Sequence, residues 1–192
     1  MFERGRLSVG EQLLVHGANS GIGVMAIQMA IAAGASVLAT VRGKDKADKV
    51  RALGVRLAID AASADWADAV RGAGGADVIL DMVGSEYFAR NVEVLKTEGR
   101  LIVIATMSGN RVEVDLRQMM TKRLTLSAST LRSRHADEKA RLARSVEAAV
   151  WPWIAAGKVR PIVEKTFPLA EASAAHAWLE SGSHFGKVVL TL

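Results

Sequence analysis

Eight residues near the N-terminus, His16-Gly17-Ala18-Asn19-Ser20-Gly21-Ile22-Gly23, leave few folds open to this chain. Before them, Gln12 to His16 is a short apolar run that suits a buried strand. After them, Ile22, Met25, Ala26, Met29 and Ala30 recur at the spacing of one helical face, and Gly34 stops the helix. A strand that turns tightly into a helix makes an anion site, because the first helical N–H groups have no partner and the dipole adds positive potential. A pyrophosphate needs the turn free of bulk. Gly21 and Ile22 open the helix; Gly21 is expected to permit close approach, and Gly23 close helix–strand packing. Asn19 and Ser20 are expected to add donors. Glycines also mark plain turns, so the motif takes its meaning from the rest of the chain.

Beyond Gly34 the chain alternates. Strands are predicted at Ser36–Val41, Leu57–Ile59, Val78–Leu80, Leu101–Ile104 and Leu124–Ser129. Helices are predicted at Lys44–Leu53, Asp65–Val70, Glu86–Leu95, Leu116–Met120 and His135–Ala156, with Pro152 predicting a kink or break near Trp151. Repeated β-α units imply an α/β fold, and continuously apolar strands imply a parallel sheet covered on both faces. The expected architecture is a Rossmann-type doubly wound sheet of order 3-2-1-4-5-6. Residues 158–192 lie beyond it as an extended, helical and strand-like tail, so the chain divides into 1–157 and 158–192.

Composition narrows the function. In 192 residues, 50% are hydrophobic and 23% charged, which suits one globular domain or a domain plus part of another. There is no cysteine, which excludes disulfides and cysteine-ligated zinc. The four histidines are scattered, and no metal is expected. No run of 18 apolar residues and no apolar signal core is present, so neither a membrane span nor export is expected, and the chain reads as cytoplasmic. The net charge of +5 is mixed with acids, as in Lys44-Asp45-Lys46-Ala47-Asp48-Lys49. That pattern suits a solvated helix face or an anionic small molecule, and no nucleic-acid partner is expected.

The end of the second strand reads Thr40-Val41-Arg42-Gly43-Lys44-Asp45-Lys46. A site for NAD places an acid there for the ribose 2′-hydroxyl. Here Arg42 stands instead, with Lys46 behind it, which favours a 2′-phosphate and hence NADPH. The alternative is surface charge at a helix start. Asp81 is open to two roles, a cofactor contact or a cap for the helix near Ser85. Met82 and Met107 are open to a core role as well.

Short-chain dehydrogenases carry a similar glycine spacing but need a Tyr and a Lys four residues apart. The only tyrosine is Tyr87, and position 91 is Asn91. Along nearly its whole length the chain instead resembles the zinc-independent quinone oxidoreductases of the medium-chain dehydrogenase/reductase superfamily. The matching segments are Arg4-Gly5-Arg6-Leu7-Ser8-Val9-Gly10-Glu11, Val15 to Gly23, Ala26-Ile27-Gln28-Met29-Ala30, Ala52-Leu53-Gly54, Ile79 to Gly84, Glu98-Gly99-Arg100-Leu101 and Gly186-Lys187-Val188-Val189-Leu190. Thr130-Leu131-Arg132-Ser133-Arg134 is most similar to the branch typified by p53-inducible quinone oxidoreductase.

The resemblance implies NADPH-dependent, metal-free reduction of a quinone or conjugated carbonyl (an enone). It implies a nicotinamide lying against Asp81-Met82-Val83-Gly84 and Ala105-Thr106-Met107, with Thr130-Leu131-Arg132 lining the same cleft and Lys46 near the 2′-phosphate. Two positions depart from the family pattern: Gly43 replaces a serine and Ala61 a tyrosine. The resemblance also implies a preceding catalytic domain of roughly 100 residues or more. Without it this chain is expected to be weak or inactive in turnover, its tail returning to that domain, folding back or swapping between chains. A homodimer through the sixth-strand edge is expected. The competing reading is a non-enzymatic module that binds NADPH or mediates association, since no proton-donor pair or nucleophile–base pair is visible.

Overall fold

The computed structural model describes all 192 residues. Six parallel strands, β1 (Gln12–Val15), β2 (Ser36–Val41), β3 (Leu57–Asp60), β4 (Ala76–Asp81), β5 (Leu95–Val103) and β6 (Thr125–Ala128), form one sheet. Their order is β3-β2-β1-β4-β5-β6, as the alternating pattern predicts. The connections are α1 (Gly21–Ala32), α2 (Lys44–Arg51), α3 (Trp66–Gly72), α4 (Ser85–Val94) and α5 (Leu116–Lys122).

Successive strand residues face opposite sides, and both sides are covered. Leu13, Val15, Val37, Ala39, Val78 and Leu80 belong to a core shared with α1 and α2. Leu14, Leu38, Ile79 and Leu101 belong to a second core with Trp66, Val70, Phe88 and Val92 of α3 and α4. Each fully buried leucine here is worth about 2 kcal/mol relative to exposure. Two such layers hold the strand ends rigidly, and the candidate site is built on those ends.

Two local expectations change. β5 begins at Leu95 rather than Leu101, pairing with Ala76 before an irregular stretch that contains Glu98 in the left-handed region, φ 64°. The polar Lys96-Thr97-Glu98 hides that start from an apolar-run reading. Pro152 does not break α6 (Ala136–Ala155). The proline lies in the last turn, where its carbonyl still accepts from Ala156 N–H, and one missing N–H there costs a single bond.

The tail forms a parallel pair, β7 (Val163–Pro168) and β8 (Lys187–Thr191), with α7 (Ala172–Glu180) between. It folds back on the sheet domain. Phe185 is 6% exposed within the α1–α2 core. Gln28 of α1 accepts from Arg160 N–H at 3.0 Å and donates to Arg160 O at 3.1 Å. Leu169, Leu179, Val189 and Leu190 of the tail remain exposed. No helix is long and apolar enough to cross a membrane.

Candidate cofactor site

β1, β2 and β4 end together, and the turns leaving them meet. His16 N–H donates to Leu80 O at 3.1 Å, and Ala18 N–H to Thr40 O at 3.0 Å. Gly17 takes φ 61°, and an added Cβ there would lie 2.9 Å from Met82 Sδ. Ser20 caps α1, its hydroxyl accepting from Gly23 N–H at 2.9 Å. The N–H of Ile22 has no hydrogen-bond partner, that of Gly21 faces the tail at the Ser20–Gly186 bridge, and the first turn of α1 holds no acid. The turn thus presents an available donor and a positive helix end, the chemistry an anion requires.

Asp81, at the end of β4, is buried. It accepts from Val83 N–H at 2.7 Å, more weakly from Gly84 N–H, and from Asn91 Nδ2 at 3.3 Å. Burial holds its carboxyl above the usual aspartate range, and those two backbone donors oppose the rise. The side chain closes the turn ahead of α4, while α4 itself, which opens at Ser85 after Gly84, has no side-chain cap. That turn joins the loop after β5: Ser108 N–H donates to Val83 O at 2.7 Å, and Met107 N–H to Met82 O at 3.4 Å. An added Cβ on Gly84 would sit 2.5 Å from Gly109 O and 2.9 Å from Thr106 Cα. Asp81 to Gly84 and Ala105 to Met107 are therefore one surface. Met82 is buried in it, while Met107 is 83% exposed. Thr130, Leu131 and Arg132 are exposed and make no hydrogen bond to that surface. Leu131 instead lines a cavity with Met1, Ile102, Ile104 and Arg134.

The basic groups are split. The Arg42 side chain is 68% exposed, 3.4 Å from Glu86 Oε1, a weak surface pair. Lys46 donates to the tail carbonyl of Gly182 at 2.5 Å. Gly43 has φ 105°, a conformation that serine rarely adopts, and donates its N–H to Asp60 Oδ1 at 2.8 Å.

Sequence reasoning missed a buried relay beneath the site. His16 is fully buried, its Nδ1 2.8 Å from Thr40 Oγ1 and its Nε2 2.7 Å from Asn91 Oδ1. Asn91 turns its Nδ2 to Asp81, so its oxygen accepts from His16 Nε2–H and Nδ1 accepts from Thr40. Trp66 and Tyr87 pack edge-on against the imidazole. Burial lowers its pKa to about 4, so the ring is neutral. The signal available was a histidine directly before the glycine turn.

Comparison with known proteins places this geometry. Residues 53–190 match the zinc-binding dehydrogenase family. The chain belongs to that family. It is 29% identical to a quinone oxidoreductase of Rattus norvegicus over its whole length, and 27% identical over 96% of its length to a 2-haloacrylate reductase of Burkholderia. It spans 58% and 56% of those two relatives. It also superposes over its whole length on 61% of the quinone oxidoreductase of Thermus thermophilus, a protein solved alone and with NADPH, with TM-score 0.88 and 28% identity. Within this chain there is no cysteine, and no three His, Asp or Glu side chains converge on one point.

Proposed function

We propose that this chain is the NADPH-binding part of a reductase that passes hydride to a quinone or conjugated carbonyl. The observation that carries the reading is the glycine turn, with an available donor at the start of α1 and no acid at the end of β2. The turn is also closely packed: an added Cβ at Gly23 would strike the backbone of Gly17 and Ala18, and one at Gly21 the Lys187 side chain. When bound, NADPH supplies the hydride.

The chain's own part is to hold and orient. Asn19, Ser20, Gly21 and the N–H of Ile22 face the pyrophosphate, and Arg42 and Lys46 the 2′-phosphate. The joined surface of Asp81 to Gly84 and Ala105 to Met107 sets the nicotinamide end, and Thr130 to Arg132 border the acceptor. Lys46 exchanges its bond to Gly182 O for the phosphate. The division at 157/158 gives the tail a second role, as the link to an acceptor-binding domain.

Calorimetric titration tests this. NADPH is expected to bind more tightly than NADH, and Arg42→Ala with Lys46→Ala to remove roughly tenfold or more of that preference. Equal affinity for both cofactors in the unaltered chain would overturn the NADPH assignment.

β6 pairs with β5 alone, which leaves its outer edge open, and Leu126 on it is exposed. We expect two copies to pair along this edge and Leu126→Lys to give monomers in sizing chromatography. Elution of the unaltered chain as a compact monomer at high concentration would refute it.

A further inference from the structure

Few polar side chains are buried in this chain, and most of those form one line. Seven polar or charged residues are buried, and four of them, Thr40, His16, Asn91 and Asp81, are hydrogen-bonded one to the next. Thr40 donates its hydroxyl to His16 Nδ1 at 2.8 Å, His16 Nε2 donates to Asn91 Oδ1 at 2.7 Å, and Asn91 Nδ2 donates to Asp81 Oδ2 at 3.3 Å. The line crosses three neighbouring strand ends. Thr40 lies near the end of β2, His16 directly follows β1 and Asp81 ends β4, and these strands are adjacent in the sheet. Asn91, from α4, bridges the β1 and β4 ends.

Such a line is a poor way to gain stability. Each buried polar group gives up water, and apolar side chains of similar volume often serve as well or better. What a satisfied polar line supplies is a fixed relative position, because each bond has a preferred length and direction. Here the parts held in place are two turns. The Asp81 carboxylate accepts from Val83 N–H at 2.7 Å and from Gly84 N–H at 3.3 Å, so the line ends in the backbone of the Met82–Gly84 turn. A second contact joins the same turn to the glycine turn: Met82 Sδ is 3.5 Å from the Ser20 hydroxyl and 2.9 Å from the place where a Cβ on Gly17 would stand. The β4 turn is thereby fixed to the glycine turn twice, through Asn91 with His16 and through Met82.

We propose that Asn91, held by His16, is a positioning residue for the nicotinamide: through Asp81 it keeps the Met82–Gly84 turn, against which the ring lies, in register with the glycine turn that takes the pyrophosphate. This rests on the cofactor reading above and extends it to side chains that touch no cofactor. Cutting the line frees the nicotinamide end and leaves the adenine end bound.

Calorimetry and amide hydrogen exchange on the full chain test this, with NADPH and with adenosine 2′,5′-bisphosphate, which lacks the nicotinamide half. Asn91→Leu, similar in size and unable to hydrogen-bond, is expected to speed exchange at Val83 and Gly84 and to weaken NADPH about fivefold. The fluorescence of the bound reduced nicotinamide at saturation is expected to fall with it. The bisphosphate is expected to bind Asn91→Leu and the unaltered chain equally. Asn91→Asp, which still accepts from His16 but cannot donate to Asp81, is expected to act in the same direction. Thr40→Val loosens the line from its far end, and Thr40→Ser, which keeps the hydroxyl, is expected to behave as the unaltered chain. These two carry the same comparison if the Asn91 variants do not fold.

Unchanged exchange at Val83 and Gly84 in Asn91→Leu would overturn the proposal. So would an equal loss of affinity for both ligands, which is what a merely structural defect produces. If the unaltered chain binds the bisphosphate as tightly as NADPH, the positioning role falls while the adenine end of the cofactor reading stands. Binding of neither ligand removes both.

Discussion

Gly23→Ala is expected to destabilise the chain by about 2–4 kcal/mol and to abolish cofactor binding. The added methyl would lie 2.6 Å from Gly17 O, 2.7 Å from Ala18 Cα and 2.8 Å from Ala18 C. All three are backbone atoms, so no side chain can swing away. Gly17 O already accepts from Ser20 N–H at 3.0 Å, and Ala18 N–H donates to Thr40 O at 3.0 Å. Backing the turn off loses these bonds and displaces the start of α1. Alanine gains about 1 kcal/mol of helix propensity over glycine, which does not offset the displacement. Gly21→Ala is the control. Its methyl meets only the flexible end of Lys187, so its stability cost is expected below about 1 kcal/mol. Urea denaturation of the two variants measures both, and equal stabilities would show that the turn is not closed by backbone contact at Gly23.

Acid is expected to weaken the fold through His16. Its folded pKa, about 4, lies below its ordinary value of 6.5, so the unfolded chain takes up a proton there first. The contribution of the neutral ring is complete above about pH 6.5 and is lost as pH falls towards 4. The loss amounts to about 2 kcal/mol at pH 5 and about 3 kcal/mol at pH 4. Asp81 acts in the opposite sense, since its raised pKa lets the folded chain take up a proton more readily than the unfolded one. Glu11, Asp60 and Asp65 are held below their usual values, so their contributions fade only below about pH 4.5. The ammonium of Met1, also lowered by burial, weakens the fold in the same sense as pH falls below 8, so the share due to His16 is the part that a variant at this position loses. His16→Gln keeps a donor and an acceptor for Asn91 and Thr40 but cannot take up the proton. Unfolding free energies at pH 7, 6 and 5 are expected to fall in the unaltered chain and much less in the variant. An equal fall in both would remove His16 as the cause.

Sequence and structure divide by the range of the interactions involved. The strand–turn–helix around Gly17 to Gly23 was readable because its signals are local: an apolar run, a glycine turn, a helical face. The sheet order follows from the same repetition, since parallel strands joined by right-handed helical crossovers leave few arrangements. Asp81 was half readable. Its place at a strand end was clear, but its commitment to Val83 and Gly84 depended on how the turn closes.

Partners far along the chain were not readable. His16 meets Thr40 and Asn91 across separations of 24 and 75 residues, and Asn19 meets His184 across 165. Neither the neutral imidazole under the site nor the lysine over Gly21 leaves a periodic trace, because neither belongs to a repeating face. By itself, then, the sequence determined the elements, their winding and the glycine turn at the start of α1, through steric and periodic preferences that act within a few residues. The tertiary structure alone decided which side chains surround that turn. Those contacts form only when the sheet brings strand ends together and the tail folds back across the turn.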